Sequence, residues 1–565
     1  TFEVIENDAD RLLEVPGIGK GRVGKIRDSW EKQKDVKDIM VFLQGHGVSS
    51  TYAAKIYKQY GKDSIEKVQN NPYCLADDIW GIGFKTADGI AEKLGYEKND
   101  SRRCRSGILY TLSKLSEDGH CYAEREQLVK SAKELLQAEE EPITQALDDM
   151  ITSEDLMLDE DAIFLPPFYY AEVGVANKLR RLIETPMGNI FDNGGTVTDD
   201  VSQRQGQIEY DEVQLSAIRK AIGSKVMVLT GGPGTGKTTT TLGIIASFET
   251  LGQRILLAAP TGRAAKRMSE ATGKEAKTIH RLLEFNPAEG YGRNDENPLD
   301  GDVLIVDESS MIDIILMNSL LKAVPLSMRL ILVGDIDQLP SVGAGNVLRD
   351  IIDSGAVPVI RLTRIFRQAQ SSRIVTNAHK INQGIFPDIS NGRQSDFFFI
   401  KDEDPEQAAR DIVNIVKNRI PKAYGYSTND IQVLAPMQRS VVGATNLNIA
   451  LQEAINPVGD SLSRGGFKYR RGDRVMQIRN NYDKDVFNGD IGMVEHVDME
   501  ERTLTVSFDG NSIEYEDSEL DELTLAFATT IHKSQGSEYP VVVMPLLMTH
   551  FVMLQRNLVY TGITR

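Results

Sequence analysis

The chain has 565 residues, too many for one hydrophobic core, so we expect about three to five domains. Its 41% hydrophobic and 26% charged residues are ordinary for a globular protein, and no apolar run is long enough to predict a membrane span. The net charge of −18 argues against non-specific coating of duplex DNA but does not exclude a local nucleic-acid groove. The scattered cysteines, Cys74, Cys104 and Cys121, indicate a reducing cytosol and no metal cluster. We therefore expect a cytoplasmic protein without membrane contact.

Residues 1–100 carry an internal repeat, in which a glycine-containing turn precedes a helical pattern. The copies lie at 13–20, 42–48 and 79–85, and the first is the most regular. Two glycines ahead of a helix expose backbone N–H groups, which suits a DNA phosphate. The copies resemble tandem helix-hairpin-helix motifs. A helical bundle whose turns need glycine, with no DNA contact, is the alternative.

Residues 101–205 are expected to form a small winged-helix-like module and a connector. Helical patterns alternate there with short apolar segments at 118–123 and 162–165, which are typical of strands. A polar stretch that includes residues 193–196 then leads to a region of alternating strands and helices, which begins near residue 206.

The sequence GGPGTGKT at 231–238 has the form of a phosphate-binding P-loop. An apolar strand pattern precedes it at 226–230 and a helical pattern follows at 239–248, which is the order such a loop requires. Lys237 would reach the β- and γ-phosphates of ATP, and Thr238 would hold Mg²⁺. The residues expected to contact the nucleotide are Gly232, Pro233, Gly234, Thr235, Gly236, Lys237, Thr238 and Thr239.

Two later strand patterns end in residues suited to ATP hydrolysis. The apolar run at 303–306 leads into Asp307 and Glu308, which would hold Mg²⁺ and polarise the attacking water respectively. A surface turn with two acids is the plain alternative. The run at 330–333 leads to Gln338, which would sense the γ-phosphate, because ligands bind at the carboxyl ends of strands in open α/β sheets.

The remaining pattern indicates two insertions and a second α/β core. Residues 286–300 are polar and turn-rich, as in a hairpin-like insertion. A second core is expected to begin near Asp396 and to include a strand at 431–436. Short alternating strands then indicate a small β-barrel, with Asn488-Gly489 as a hairpin turn signal. The parallel pattern is expected to resume at 524–530 and 541–545.

The motifs between residues 211 and 565 resemble those of superfamily 1 helicases, most closely the RecD/TraA branch, in the same order. They are DEVQ at 211–214, GGPGTGKT at 231–238, APTGRAA at 259–265, TIHRLL at 278–283, DESSM at 307–311, GDIDQLPSVG at 334–343, LTRIFRQ at 362–368, TIHKSQGSE at 530–538 and YTGITR at 560–565. With the repeats ahead of them, they indicate the stand-alone RecD-like helicases rather than a subunit of a nuclease complex. The family continues past the last motif, so we expect further residues after Arg565.

The resemblance implies a multidomain fold class. It consists of two RecA-like α/β P-loop motor cores, an SH3-like β-barrel insertion and a mainly α-helical N-terminal helix-hairpin-helix region. The expected domains are 1–100 for the helix-hairpin-helix region, 101–205 for the winged-helix-like module and connector, 206–370 for core 1 with a pin insertion at about 284–301, 371–454 and 523–565 for core 2, and 455–522 for the barrel.

The resemblance also implies roles for further residues. Gln214 would read adenine, Glu538 would lie near the nucleotide sugar, and Arg367 and Arg565 would be arginine fingers. The residues that would face a DNA strand are Pro260, Thr261, Thr278, His280, Asn346, Thr530, His532 and Lys533. Lys468, Arg470 and Arg471 would either meet DNA or form a solvated edge. Tyr291 would belong to a pin that splits the duplex.

The implied activity is that of an ATP- and Mg²⁺-dependent DNA helicase that translocates 5′–3′ on single-stranded DNA. Its partners would be single-stranded DNA and single-strand/double-strand junctions, its state a monomer, and its setting DNA repair or recombination. Three alternatives stay open: a single-strand-stimulated translocase without efficient unwinding, a DNA-junction binding protein, and an RNA helicase. No nuclease constellation is evident.

Overall fold

The structure is a computed structural model that describes residues 39–79, 81–186, 210–366, 370–392, 395–481 and 483–565. The chain divides into two compact units, Thr1–Tyr170 and Ala171–Arg565. Some predicted features lie outside the described residues, namely the first repeat at 13–20, the polar connector at 193–196, and Arg367.

The first unit is mainly helical in its described part. Its helices are α1 Ser50–Tyr60, α2 Ser64–Asn70, α3 Cys74–Asp78, α4 Phe84–Lys93, α5 Ser101–Glu117, α6 Arg125–Leu136 and α7 Glu140–Thr152, and α8 Pro166–Glu184 begins at its end. The strands β1 Tyr122–Glu124, β2 Met157–Asp159 and β3 Ala162–Phe164 form an antiparallel sheet in the order β1-β3-β2. In the second repeat, a turn at residues 46–47 lies between a helical segment that ends at residue 45 and α1, and in the third repeat residues 81–83 lead into α4.

One hydrophobic cluster extends across the boundary expected at residue 100. It contains Tyr73 and Phe84 from one side of that boundary, and Ile108, Leu128 and Ile163 from the other. Because both segments bury their apolar side chains in the same cluster, residue 100 does not separate two independent cores.

The first α/β core of the second unit follows the predicted pattern. Its helices are α9 Glu212–Ile222, α10 Lys237–Thr250, α11 Gly262–Thr272, α12 Ile279–Leu282, α13 Ile314–Ala323 and α14 Val347–Asp353. Its strands are β4 Val226–Gly231, β5 Ile255–Ala259, β6 Ala276–Thr278, β7 Phe285–Asn286, β8 Gly290–Tyr291, β9 Val303–Val306, β10 Arg329–Gly334 and β11 Val359–Leu362.

Six of these strands form one parallel sheet in the order β11-β4-β10-β9-β5-β6. Strands β9 and β10 are buried along their whole length, as expected when helices cover both faces of a sheet. The parallel register places the carboxyl ends of β4, β9 and β10 side by side, where the P-loop, Asp307 and Gln338 follow. The short strands β7 and β8 form a separate antiparallel hairpin.

The rest of the second unit contains a second α/β core and the barrel. Its helices are α15 Arg373–Asn382, α16 Pro405–Asn414, α17 Ile420–Tyr424, α18 Ala444–Ile455 and α19 Arg556–Ile563. Its strands are β12 Ile431–Ala435, β13 Ser461–Arg464, β14 Phe467–Arg470, β15 Arg474–Gln477, β16 Ile491–Asp498, β17 Thr503–Phe508, β18 Asn511–Glu516, β19 Leu523–Leu525, β20 Ala528–Thr530 and β21 Val541–Val543. Strands β20, β12 and β21 form a parallel sheet.

The barrel sheet has the antiparallel order β18-β17-β16-β15-β19, beside the hairpin β13-β14. Buried residues alternate along β17, as expected for a sheet with one face in a core. Strand β19 pairs with β15, so Leu523–Leu525 belongs to the barrel, and the expected resumption of core 2 at residue 523 or 524 is wrong. The two α/β cores and the barrel insertion are otherwise as predicted.

The turn at Asn488-Gly489 differs from a tight hairpin. The amide of Asp490 donates to the carbonyl of Phe487 at 3.0 Å, and Gly489 has φ 99°, so the turn itself forms. However, it lies within the longer connection 478–490 between the paired strands β15 and β16, where Asn481 and Val486 form an isolated bridge. The sequence signal therefore located a turn but not the strands that it joins.

In the part of the chain that the structure describes, no helix is both long enough and apolar enough to cross a membrane.

Candidate functional site

The P-loop forms a cradle that only glycine can line at several positions. Gly234 and Gly236 have φ values of 70° and 83°, in the left-handed region, and Gly236 is the N-cap of α10. A Cβ on Gly236 would lie 2.6 Å from Nε2 of Gln214. A Cβ on Gly232 would lie 2.9 Å from Cε1 of His379. Side chains at these two positions would therefore clash with residues that pack against the loop.

Lys237 is the first residue of α10, and its ammonium group lies against the preceding P-loop. Its Nζ donates to the carbonyl of Gly231 at 2.5 Å and lies 3.3 Å from that of Gly232. Thr235 is buried, and its hydroxyl donates to the carbonyl of Gly232 at 2.8 Å. Thr238 is exposed and Thr239 is half-buried in the first turn of the helix. This arrangement leaves the amides at the amino end of α10 available to an anion.

Gln214 is buried beside the P-loop. Its Oε1 accepts from the amide of Asp211, whose carboxylate accepts from the amide of Gln214, so the two form a capping box at the start of α9. The ring of Phe366 also approaches Gly236, since a Cβ there would lie 3.0 Å from Cε2 of Phe366. The sequence predicted Gln214 at this end of the loop but did not single out Phe366.

Asp307 and Glu308 follow β9 as predicted. The amide of Glu308 donates to Oδ1 of Asp307 at 2.8 Å, and Glu308 has the left-handed φ of 50°. Burial raises the pKa of Asp307, the charge of Glu308 raises it further, and Lys237 opposes both. Two adjacent, half-buried carboxyl groups fit a divalent cation, because a cation offsets both the cost of their burial and their mutual repulsion.

Gln338 and Arg565 meet across the cleft between the two cores. The guanidinium of Arg565 donates to Oε1 of Gln338, and it also reaches the carbonyl of Thr561 at 3.3 Å. Thr561 accepts from the amide of Leu339 at 2.8 Å. Arg565 is 7% exposed, so this contact is shielded from water. The structure thus brings together two of the residues predicted to be catalytic.

Glu538 lies on the second core and pairs with a residue of the first core. Its Oε1 accepts from the guanidinium of Arg267, in α11. The neighbouring Arg263 donates to Oγ of Ser537 at 2.6 Å and to the hydroxyl of Tyr539 at 3.0 Å. The segment 537–539 is therefore fastened to α11, and the role of Glu538 at a nucleotide sugar stays a prediction.

Several residues predicted to face DNA lie at the carboxyl ends of strands of core 1. Pro260 and Thr261 follow β5, and Thr278 ends β6, with Ala259 and Thr278 in register. The hydroxyl of Thr261 caps α11, and that of Thr278 caps α12. Both threonines therefore have a local structural role beside the proposed contact with DNA.

His280 packs against the hairpin insertion. Its ring centroid lies 5.5 Å from that of Phe285 and 5.9 Å from that of Tyr291, and the two aromatic rings are 4.9 Å apart. Burial lowers the pKa of His280, and Asp313 opposes that shift. His280 therefore joins a predicted DNA-facing motif to the base of the hairpin.

The remaining predicted DNA residues lie on other segments. Thr530 ends β20, and its hydroxyl accepts from the amide of Lys533 at 3.4 Å. His532 is half-buried, which lowers its pKa, whereas the side chain of Lys533 is exposed. Asn346 precedes α14 with an exposed side chain that does not cap the helix. A Cβ on Gly536 would lie 2.9 Å from Oγ1 of Thr261, so segments of both cores meet here.

The basic residues at the barrel entry behave differently from one another. Arg470 is buried, pairs with Glu453 at 2.6 Å and donates to the carbonyl of Asn456 at 2.9 Å. Arg470 was expected either to meet DNA or to lie on a solvated edge. Because it is buried and bonded within the fold, both expectations are wrong for this residue. Lys468 and Arg471 are exposed.

Sequence reasoning missed residues that line the cleft. Tyr560 donates from its hydroxyl to Oδ2 of Asp335 at 2.8 Å, and Asp335 is 1% exposed. Both lie within quoted motifs, so the signal was present but their roles were not assigned. His379 lies 3.2 Å from the carbonyl of Pro233 and belongs to none of the quoted motifs.

Family models match four parts of the chain. A model described as an AAA domain matches residues 214–344, and one for the ATP-dependent RecD2 DNA helicase HHH domain matches 32–122. A model for the ATP-dependent RecD-like DNA helicase SH3 domain matches 447–508, and one for the UvrD-like helicase C-terminal domain matches 525–565. The predicted helix-hairpin-helix region and SH3-like insertion are thereby confirmed.

Similar proteins include an ATP-dependent RecD2 DNA helicase of Deinococcus radiodurans, 35% identical over 100% of this chain and 78% of that protein. The RecBCD enzyme subunit RecD of Mycobacterium tuberculosis is 32% identical over 63% of this chain and 68% of its own length. Solved structures include Bacteroides Pif1 bound to ssDNA and Pif1 helicase from Candida albicans, each with a TM-score of 0.40 and 19% identity. Each match covers 64% of this chain, and 90% and 93% of those chains respectively.

Proposed function

This chain belongs to the family of ATP-dependent RecD2 DNA helicases, and from that premise we propose that it moves 5′–3′ along single-stranded DNA and unwinds the duplex ahead. The observation that carries the proposal is the contact between Arg565 and Gln338, which joins the two cores beside the P-loop. A cleft that closes around a nucleotide can convert each round of hydrolysis into relative movement of the cores. The direction of movement rests on family membership.

The nucleotide would bind between the P-loop and the second core. Lys237 would contact the terminal phosphates, and the amides of the P-loop would contact the phosphate chain. Gln214, buried beside Gly236, would recognise adenine. Glu308 would orient the attacking water and accept its proton. Arg565, Arg367 and Gln338 would stabilise charge on the leaving phosphoryl group, a contribution of about 10³–10⁵ in rate for such arginines.

Mg²⁺ fits the residues present, because Asp307 is a carboxyl group whose pKa is raised by desolvation and by the charge of Glu308, and a cation would offset both effects. Thr238 and Asp307 would hold the ion, because Mg²⁺ prefers oxygen ligands such as hydroxyl and carboxylate groups. When bound, it would neutralise negative charge on the phosphates.

Single-stranded DNA would cross the carboxyl ends of strands in both cores. The motifs after β5, β6 and β20 supply hydroxyl groups and exposed basic side chains there, of the kinds that contact phosphates. The hairpin β7-β8, which packs on His280 through Phe285 and Tyr291, would meet the duplex at a single-strand/double-strand junction. We also propose that the protein acts as a monomer, in DNA repair or recombination.

The test is strand displacement with Mg²⁺ and ATP on two partial duplexes, one with a 5′ tail and one with a 3′ tail. Lys237→Ala removes the phosphate-binding ammonium, and Lys220→Ala, on the exposed face of α9, is the matched control. We expect the wild type and Lys220→Ala to unwind only the 5′-tailed substrate, and Lys237→Ala to unwind neither.

Other outcomes would redirect the proposal. Hydrolysis stimulated by single-stranded DNA without displacement would indicate a translocase. Unwinding of only the 3′-tailed substrate would contradict the polarity, and binding without stimulated hydrolysis would leave a DNA-junction binding protein.

A further inference from the structure

His379 is a residue of the second core that reaches the P-loop of the first. It lies in α15, and its Nε2 is 3.2 Å from the carbonyl oxygen of Pro233. Its ring also closes over the neighbouring residue, since a Cβ on Gly232 would lie 2.9 Å from Cε1 of His379. His379 therefore touches two consecutive residues of the loop, one by a hydrogen bond and one by packing.

The elements that carry His379 also carry the other contacts across the cleft. Helix α15 packs against α19, which contains Tyr560 and leads to Arg565. The hydroxyl of Tyr560 would lie 2.9 Å from a Cβ on Gly232, so Tyr560 and His379 approach the same glycine. Tyr560 bonds to Asp335, and Arg565 bonds to Gln338. Of these three residues of the second core, His379 is the one that contacts a carbonyl of the P-loop itself.

The carbonyl groups of the loop explain why such a contact matters. A P-loop binds phosphate through its N–H groups, and those amides keep their direction only if the carbonyls of the same peptides are fixed. Lys237 donates to the carbonyl of Gly231, and Thr235 donates to that of Gly232. The next carbonyl, that of Pro233, lies within hydrogen-bonding distance of His379. Groups from both cores thus fix successive peptides of one turn.

We propose that His379 is a positioning residue for nucleotide binding, which holds the P-loop in its phosphate-binding shape when the cleft is closed. The inference rests on the proposed function, because it requires that ADP and ATP bind at this loop. The bond requires the proton on Nε2, since Pro233 offers only an acceptor. The ring contributes separately, by covering Gly232.

The test separates the donor from the ring with three variants. His379→Gln keeps an N–H donor, His379→Phe keeps a ring without a donor, and His379→Ala removes both. Lys380→Ala, the next residue of α15, is the matched control. The first readout is the Kd of a fluorescent ADP analogue, which needs neither DNA nor hydrolysis. The second is KM and kcat for ATP with single-stranded DNA.

We expect His379→Phe and His379→Ala to raise the Kd and KM by about 3- to 10-fold, the range of one hydrogen bond, with kcat changed by less than about twofold. His379→Gln should restore most of the affinity, and Lys380→Ala should match the wild type. Unfolding midpoints within a few degrees of the wild type would show that the variants remain folded.

Wild-type affinity in His379→Phe, or a loss in His379→Gln as large as in His379→Ala, would overturn the inference. A kcat that falls while the Kd is unchanged would also do so, since it would place His379 in the chemical step. A wild type that binds the ADP analogue but does not unwind DNA would refute the proposed function and leave this inference standing. A wild type that unwinds DNA while no variant changes affinity would refute the inference alone.

Discussion

The hydroxyl of Tyr560 donates to Oδ2 of Asp335 at 2.8 Å, and this bond joins the second α/β core to the carboxyl end of β10 in the first. Asp335 is 1% exposed and also accepts from the amide of Asp337 at 3.1 Å and from Nε2 of Gln338 at 3.3 Å. Burial raises the pKa of Asp335, and burial followed by the charge of Asp335 raises the pKa of Tyr560. A hydrogen bond to a shielded carboxyl group is stronger than one at the surface, so it favours the closed cleft.

Replacing Tyr560 by phenylalanine should weaken closure of the cleft. The variant keeps the ring but leaves Asp335 without the donor from the second core, and losing a bond to a charged group costs about 1.5–3 kcal/mol. We expect kcat/KM for DNA-stimulated ATP hydrolysis to fall by about 10-fold or more, measured at steady state. Tyr424→Phe, at an exposed tyrosine, is the control and should match the wild type. Equal kinetics in Tyr560→Phe would mean that the bond is not part of closure.

Gly236→Ala should strongly weaken nucleotide binding for a steric reason. Its φ is 83°, and the new Cβ would meet Nε2 of Gln214 at 2.6 Å. Gly273→Ala is a matched control, since Gly273 also has a positive φ of 68° but open space around it. Both changes should cost about 1–2 kcal/mol of stability from the left-handed backbone. Only Gly236→Ala should raise the Kd for ADP by more than about 10-fold, and similar Kd values in the two variants would exclude the steric explanation.

Tyr291→Ala should separate unwinding from hydrolysis. Tyr291 packs on Phe285 and His280 at the base of the hairpin, away from the P-loop contacts. We expect strand displacement to fall by about 10-fold, because an aromatic side chain supports the hairpin that would meet the duplex. The rate of ATP hydrolysis stimulated by single-stranded DNA should stay within about twofold of the wild-type rate. If both rates fall together, the hairpin supports the motor rather than strand separation.

Acid should destabilise the second unit partly through His550. Its side chain is fully buried, its Nε2 has no hydrogen-bond partner among the described residues, and burial lowers its pKa below the ordinary value of about 6.5. The unfolded chain therefore binds the proton more readily than the folded chain. The contribution of His550 to the free energy of unfolding is fully present above the unfolded-state pKa of about 6.5, and it is lost as the pH falls towards the lower folded-state pKa.

His550→Asn removes this titrating group and keeps an acceptor for the amide of Leu547. We expect its unfolding midpoint to fall less than that of the wild type between about pH 7.5 and 5.5. His280 and His532, whose pKa values burial also lowers, should account for part of the remaining dependence. Parallel curves for the two proteins would show that His550 does not contribute.

The cores were predictable from the sequence because their strands are buried on both faces. The runs at 226–230, 303–306 and 330–333 are continuous and mainly apolar, and each leads into a polar motif. The apolar run predicts the strand, and the polar motif marks where the strand ends. The P-loop, Asp307, Glu308 and Gln338 converge for that reason. Thr261 and Thr278 were also recognised by motif, although their capping bonds were not.

Contacts between distant segments could not be predicted in this way. His379 meets Pro233 from 146 residues away, and no local pattern marks its helix as facing the P-loop. Leu525 has the same apolar character in either sheet, so only its pairing with Val475 assigns it to the barrel. Arg470 looked like a surface charge because its partner Glu453 lies on a helix that precedes the barrel.

The end of the barrel is tied to the second core by a very short tether. Strand β19 ends at Leu525 and β20 begins at Ala528, so two residues of at most about 7 Å connect them. The amide of Ala526 bonds to the barrel at Arg474, and the carbonyl of Phe527 bonds to the core at Val433. Two residues cannot accommodate a movement of the barrel relative to the second core, so we expect such a movement to shift β20 and Thr530 at its end. Lengthening this connection with flexible residues would remove the direct link to Thr530, while the hydrophobic cluster that the barrel shares with the second core would still hold the two together.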